Sequence, residues 1–549
     1  MSEHTPRWGR VITPLAVCTL AAGVVATAGG AMSSAAPGKP PLTREQVAQS
    51  LLDHHARFGT GAQVLAWNRV VGKRAGTSSL IGGEPAAGAA RRGAPSPMAR
   101  SGALNVRVND PSTDTEPLDQ TTQNETALAV SGRDLVVGYN DSHQATPFFT
   151  AAVDLSGYAT SSDGGRSFRD RGTIPNLQGY LNVGDPWLAS GSGRDVYYST
   201  LAIDGESGNL EVGVAKSSDG GRTFAAPTIV SPNDPTAFYS GDKEAITSGR
   251  APGHSTGQVQ YVAWDDFSFD FTAGTANAGL PVARSADGGA SWQLSYADRI
   301  AQDPLGCSFG QFLGAQPHID PADGTLTVFA ERIAVNDPDC TGGTLAITQV
   351  VYTSTDGGLT FGPAVTIAPV TPSVALRFAK GQIMRTAEFP TVAQIGSTLY
   401  AAWNDGSAGK DHIKIATSTD RGRTWNVTDA TTGDADEVQP QLSADEKGLH
   451  LAYYVRNADA TLDLALAHSP DGTAWTARKV TTRSFPGVDT APQFDPIIAA
   501  GYMGDYVANV SSGGRQYLAW GDNRDVVRNV LWPNGRQDPN VYFAVTGRD

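Results

Sequence analysis

The chain has 549 residues, with 41 Lys+Arg against 55 Asp+Glu and a formal charge of −14. It has no basic tract, which excludes the concentrated positive charge that a nucleic-acid binder needs. Hydrophobic residues make up 40% and charged residues 17%, too apolar for wholesale disorder; with 62 Gly and 33 Pro lacking any period of three, a turn-rich β protein is expected.

Arg7 and Arg10 precede an apolar run from Val11 to Ala31, closed by the small residues Ser33 to Ala36. This is the pattern of a Sec-type signal peptide over residues 1–36, so the protein is expected to be secreted. The run is near the length of a membrane span, which leaves an uncleaved anchor as the alternative. Val17 is bulkier than a lipidation site at Cys18 would want, and no later segment is apolar enough to cross a bilayer. Residues 37–100 read as a short helix plus a linker or prosegment. Thr43 and Gln46 make a capping box, and Val47, Leu51 and Leu52 follow at helical spacing to about His55. Residues 75–100 are rich in Gly, Ala and Pro.

Residues 101–549 repeat themselves. An octet of the form Ser-x-Asp-x-Gly-x-Ser/Thr-aromatic runs from Ser161 to Phe168, Ser217 to Phe224, Ser285 to Trp292, Ser354 to Phe361 and Ser418 to Trp425, with a shorter copy from Ser469 to Trp475. The starts lie 51 to 69 residues apart, the scale of a four-stranded propeller blade with its loops. The octet suits a hairpin turn: its aspartate can accept N–H bonds from its own loop, its glycines can take positive φ, and its aromatic can drop between sheets. These aspartates are read as structural, not catalytic.

Around each octet a short inner segment precedes an aromatic and β-branched strand, and a third strand then runs into the octet. Inner segments number seven, from Thr126–Val130 to Asp505–Val507, whereas octets number six. The last repeat stops before a turn and fourth strand, and Ala103–Asn109 alternates as that missing strand should. The expectation is an all-β, seven-bladed β-propeller, six-bladed as the alternative, whose N-terminal strand closes the last blade and removes the exposed sheet edges.

The octets resemble the Asp boxes of the sialidase superfamily across the whole region after residue 101. Asn124-Glu125, Gly184-Asp185-Pro186, Asp242-Lys243-Glu244, Trp403-Asn404-Asp405 and Gly504-Asp505-Tyr506 are similar to a set of secreted bacterial sialidase-like propellers. In that fold the octets mark the bottom face. The opposite face would collect Asp141, Asp185, Asp242, Asp265, Asp505 and Asp522, together with Glu388, Tyr506, His143 and His318 and the arginines Arg332, Arg385, Arg456 and Arg524. Many carboxyls round a funnel suit cleavage of a glycan, in which one group protonates the leaving oxygen and another attacks or activates water. The resemblance implies Tyr506 as nucleophile, Glu388 as its base and Asp141 as acid, with the four arginines clamping a substrate carboxylate. The aspartates would bind substrate, or hold neighbouring blades together. The Phe/Tyr-Arg-Ile-Pro motif of sialidases is missing ahead of the first octet; Phe168-Arg169 and Ile174-Pro175 lie after it.

With Cys18 in the signal, Cys307 and Cys340 remain for one disulfide in an oxidising compartment. No cofactor is called for, and zinc-ligand spacing, phosphate-binding Gly loops and EF-hands are absent; a structural calcium among the upper aspartates is the one metal considered. The expected partner is an extracellular glycan or glycoconjugate, bound by a monomer. Sialidase-like hydrolysis heads the candidate functions. The alternatives are a non-catalytic propeller that binds glycans or proteins, and a polysaccharide lyase using Tyr506 with His143 or His318.

Overall fold

The structure, a computed structural model, describes residues 41–55, 61–72, 99–100, 104–113, 123–142, 154–253, 257–374, 376–378, 383–384, 386–487, 503–528, 530 and 533–547. The signal-like run, most of the linker, His143 and Arg385 lie outside the described residues. Residues from Leu42 onward form one compact unit. It is all-β apart from the N-terminal helical segment, and no helix among the described residues is long and apolar enough to cross a membrane.

Antiparallel meanders follow one another along the chain. Four-stranded sheets cover Gln123–Thr173, Phe309–Val370 and Thr391–Asp429. Two further meanders, within 180–229 and 238–302, are joined into a nine-stranded sheet by the single parallel pair Leu210↔Ser240. The meander Asp436–Lys479 carries small additions at its outer strand, including Ala99–Arg100. The last sheet runs from Ala508 to Thr546, and its fourth strand is Val106–Arg107, with Val106 opposite Phe543. Strand alternation puts apolar residues on both faces of most strands, as sheets covered on both sides require.

Apart from the cluster under the N-terminal helices, each hydrophobic cluster joins one meander to the next. Leu201, Val212 and Trp264 link 180–229 to 238–302, Tyr261 and Tyr352 link 238–302 to 309–370, and Phe329 and Trp403 link 309–370 to 391–429. Tyr454 and Trp520 belong to the cluster between 436–479 and 508–546. A further cluster, with Val108, Leu135, Tyr139, Tyr517 and Phe543, packs the last meander against the first.

The octets form closed local networks. In the first, Asp163 Oδ1 accepts from the backbone N–H of Arg166 at 2.9 Å and Ser167 at 3.1 Å, and Oδ2 accepts from the Ser167 hydroxyl at 2.7 Å. Ser161 Oγ donates to Asp163 and accepts from Gly165 N–H. The same serine, aspartate and hydroxyl bonds recur at Asp219, Asp287, Asp356 and Asp420. These bonds hold the carboxyls of Asp219, Asp287, Asp356 and Asp420 down at about 2. Arg421 takes φ 62° at a position that is glycine in the four preceding octets.

The helix Arg44–Ser50 starts at the Thr43/Gln46 capping box, continues as a π-helical turn to His55, and is followed by a helix Gly61–Val70 that periodicity did not reveal. Val47, Ala48, Leu51 and Trp67 pack on Phe238, Phe267 and Phe269 of the 238–302 meander. Cys307 and Cys340 form a disulfide with Cα atoms 5.3 Å apart, tying the segment before strand Phe309–Ile319 to the loop after strand Leu326–Asn336.

Val108 follows the short N-terminal strand, donates its N–H to Val541 O at 2.8 Å, and is 2% exposed. Val108→Asp is expected to cost about 3 kcal/mol in urea unfolding, by burying a carboxyl and opening the contact with Phe543. Arg107→Gln removes only a 3.6 Å, half-exposed pair with Asp525 and should cost less than about 1 kcal/mol. Equal effects at the two positions would show that this strand does not hold the last sheet.

Candidate functional site

The inner strands share a local irregularity that shapes the end opposite the octets. The register shifts between Asn124 and Ala127, Asp242 and Ala245, Leu313 and Gln316, and Val438 and Gln441. At or beside each shift a residue takes positive φ: Glu125 (50°), Lys243 (47°), Gly314 (63°) and Gln439 (54°), with Asp185 (55°) and Gly504 (84°) at the matching places of their repeats. Such bulges re-aim side chains, and left-handed conformations at non-glycine residues are uncommon.

Side chains at the bulges clasp neighbouring meanders. Asn140 donates to Glu125 Oε2 at 3.0 Å and accepts from Asp185 N–H at 2.7 Å. Glu125 Oε1 accepts from Asp505 N–H at 3.1 Å, and Asn404 Oδ1 accepts from Gln439 N–H at 3.3 Å. Gln439 in turn donates to Gly504 O.

Between these strand ends lies a small pocket whose lining includes Trp187, Lys243, Phe389, Gln439, Asp505 and Tyr506. Lys243 is 4% exposed. Its Nζ lies 3.6 Å from the ring centre of Tyr506, 4.5 Å from Trp187 and 5.8 Å from Phe389, a cation–π cage. Carboxyls surround the cage. Asp242 Oδ1 accepts from Lys243 N–H at 2.7 Å. Both oxygens of Glu244 and of Asp265 are buried without a hydrogen-bond partner. Burial, then the charge of Asp185, pushes Glu244 well above the usual carboxylate range; burial, then Asp242 and Asp266, does the same for Asp265.

A second group of carboxyls is built around Glu388. Its Oε1 accepts from Ser373 N–H at 2.6 Å, and its backbone carbonyl accepts from Gln349 Nε2 at 2.7 Å. Burial raises its carboxyl to about 7 against the pull of the Ser373 bond. Glu331, 1% exposed and with Oε2 unpartnered, is raised by burial and by the charge of Glu388. Asp411 accepts from Val374 N–H at 3.1 Å and is lifted to about 8, chiefly by burial. Asp405 is held as an acceptor by the N–H groups of Thr371 and Ser407, both at 2.9 Å. Glu331 and Glu388 are therefore two buried acids that resist ionising together.

The residues named from sequence are only partly brought together. Tyr506 donates its hydroxyl to Pro186 O at 3.0 Å, and the charges that raise its phenol after burial are Glu125, Asp185 and Glu244. Glu388 sits in the other group, so the expected Tyr506–Glu388 nucleophile and base pair is not formed. Asp141 accepts from Gln123 Nε2 at 3.0 Å within the first meander. Asp185, Asp242, Asp265 and Asp505 do converge around the cage.

Nor do Arg332, Arg456 and Arg524, the named arginines among the described residues, make a clamp. Arg524 binds Asp522 through Nε at 2.9 Å, gives Nη1 to Asn105 and Thr482, each at 3.1 Å, and lies over Tyr542. Burial outweighs this arginine and leaves the Asp522 carboxyl above its usual range. Arg332 is exposed and follows Glu331, so strand alternation turns it to the opposite face. Arg456 is half-buried near Phe378. His318 is the tenth residue of the eleven-residue strand Phe309–Ile319, at the turn on the octet side, and bonds Gln394 Oε1 at 2.7 Å.

Lys243 was given no role from sequence, and Glu331 was placed among the acids of this face without one. Their signal was a lysine between two acids at an inner strand start, and an acid at the strand position where other repeats have Asn140, Asp265 or Asn404. Among the described residues no group of three or more His, Cys, Asp or Glu could hold a metal ion.

No family model matches the chain, and no curated protein matches it. Its shape is similar to an endosialidase of phage phi92, with a TM-score of 0.40 and 9% identity over 81% of this chain and 69% of the other. It is also similar to the GH93 α-L-arabinofuranosidase of Fusarium graminearum (0.39, 14%, 69% and 98%) and to a PL25 ulvan lyase (0.42, 12%, 65% and 80%). The likeness to the sialidase superfamily rests on the octets, whose serine and aspartate bonds are described above.

Stability should depend on pH through the raised carboxyls. Asp266 at about 6, Glu388 and Glu437 at about 7, and Asp411 and Glu211 at about 8 hold protons that the unfolded chain releases near 4. The stability they contribute is full below that pH and is lost as pH rises through 6 to 8. The octet aspartates, depressed to about 2, stay ionised throughout and add no slope. Tm should fall steadily from pH 5 to pH 8.5, and less steeply in Glu388→Gln/Asp411→Asn. A flat or rising profile would mean that these groups are ionised in the folded protein.

Proposed function

We propose that the protein is a secreted, carbohydrate-active propeller of seven sheets closed into a ring by its N-terminal strand, and that it cleaves extracellular glycans by carboxyl acid–base chemistry. The ring reading is supported by the hydrophobic clusters, which run from each meander to the next and return from the last to the first, and by the pairing of Val106–Arg107 with the last strand. The signal-like N-terminus supports secretion.

The observation that carries the chemistry is the Glu331/Glu388 pair. A carboxyl that keeps its proton to about pH 7 is suited to protonate a glycosidic oxygen at neutral pH. Burial, with the charge of Asp405, keeps that proton in place. Asp505, which lines the axial pocket with Phe389, the residue after Glu388, is our choice for the carboxylate that attacks or activates water. Trp187 and Tyr506 offer ring faces to a sugar, and Gln439 offers hydrogen bonds. A sialoside is the narrower substrate suggested by the Asp boxes. With Arg524 committed to Asp522, its carboxylate would have to be met by Lys243 in place of an arginine clamp.

The test is a panel of aryl glycosides, including a sialoside and an α-L-arabinofuranoside, together with a uronate polymer. At least one glycoside should turn over, with a rate that falls above about pH 7, and Glu388→Gln should lower kcat by about 10²–10⁴-fold. No turnover on any substrate, or full activity in Glu388→Gln, would reject the assignment. Glycan retention without turnover would indicate a binding propeller, and an unsaturated uronide product a lyase.

A second measurement separates this mechanism from a tyrosine nucleophile. Because the Tyr506 hydroxyl is held by Pro186 O, Tyr506→Phe should keep kcat within about fivefold, whereas loss of a nucleophile costs several orders of magnitude.

A further inference from the structure

Four of the octets pack a glycine directly against the second strand of the preceding meander. A Cβ on Gly289 would meet Tyr197 at 3.2 Å, one on Gly358 would meet Tyr261 at 3.0 Å, and one on Gly472 would meet Tyr400 at 3.0 Å; one on Gly221 would enter the Val136 side chain. In these four the residue touched follows the strand partner of that meander's own octet serine: Val196↔Ser217 precedes Tyr197, and Leu399↔Ser418 precedes Tyr400. By the same register Leu449↔Ser469 precedes His450. The tyrosine position is therefore a histidine in the 436–479 meander. The meander that follows has no octet, because its third strand ends at Thr546 and its fourth strand comes from Val106–Arg107.

The notch that an octet fills elsewhere is consequently a cavity of about 330 Å³, lined by His450, His468, Arg478, Lys447, Gln516 and Leu466 among others. The two imidazoles lie 5.0 Å apart as cross-strand neighbours. Arg478 gives Nη2 to Thr546 Oγ1 at 2.7 Å. Asp445, the one acid among the lining residues, is already engaged by His450 Nε2 at 3.1 Å, Gln516 Nε2 at 3.2 Å and Lys447 N–H at 2.9 Å. Among the lining residues two cations outnumber the one, already engaged, carboxylate in a chain of net charge −14, with the exposed Glu446 beside Gly514 at the edge. The imidazole rings, Leu466 and the lysine and arginine stems supply an apolar side.

We propose that this notch binds a small oxyanion with an apolar face, of the size and chemistry of a sugar acid. Arg478 and Lys447 would meet the anionic group, and the histidine rings the body. The site lies on the octet face and is independent of the glycan-cleaving reading.

Calorimetric titration of the full chain with D-glucuronate, inorganic phosphate and glucose tests the proposal. Glucuronate should bind at least fivefold more tightly than glucose, with affinity lowered at least tenfold in Arg478→Gln and unchanged in Glu388→Gln. If Arg478→Gln lowers Tm strongly, Lys447→Gln is read instead, with a loss of about threefold or more expected. Phosphate binding with the same dependence on Arg478 supports an oxyanion site whose natural ligand is more compact. No binding of either anion at millimolar concentration, equal binding of glucose, or affinity that neither variant changes would overturn the proposal.

Discussion

The recurring constraint in this molecule is an aspartate whose carboxylate is saturated inside its own turn. Because Asp219 or Asp356 takes bonds only from residues within a few positions of itself, the turn is rigid before any long-range contact is made. A rigid turn can then use its glycine as a flat bearing. Gly358 and Gly472 approach tyrosine rings where a side chain would intrude, and the octet aromatics insert into the same seams, as Phe224 does against Tyr158 at 5.1 Å. Local hydrogen bonding thus sets the spacing between sheets, and the apolar clusters fill the space so defined.

The opposite strand ends follow a different logic. There the inner strands bulge, and polar side chains from one meander satisfy backbone groups of the next. That arrangement brings many carboxyls into a confined volume where desolvation favours their neutral forms. The caged ammonium of Lys243 offsets part of this, since its charge opposes the rise of Glu244 and Asp265. The Glu388 group, like the Lys243 group, answers crowding by keeping protons.

How much of this was legible in the sequence depended on the range of the interaction concerned. The octets were readable because serine, aspartate and hydroxyl lie within eight residues, and the strand near Val106 because counting inner segments against octets left one sheet unfinished. The site residues were harder. Strand position suggests that Tyr506 and Arg524 sit at the correct end, but not that Pro186 O and Asp522 will occupy them. Those partners come from other segments or from a turn whose course is set by the bulges, and nothing periodic encodes a left-handed Lys243. His318 was misplaced for a simpler reason: the strand begins at Phe309, well before the short apolar segment that marked its start, so the residue sits at the far end.

The helix Gly61–Val70 makes the same point from the other side. Its apolar stripe is weak, so periodicity alone could not reveal it, yet Trp67 is buried against the 238–302 meander. Tertiary burial, not propensity, gives such a helix its stability. The mismatch between inner strands and octets is likewise more than an accident of counting. A last sheet completed by a strand from the far end of the chain needs no third-to-fourth turn, and one seam therefore lacks the bearing that the others have. In that seam the position held by Tyr197, Tyr261 and Tyr400 in other meanders is His450, and Arg478 and Lys447 line the opening beside it.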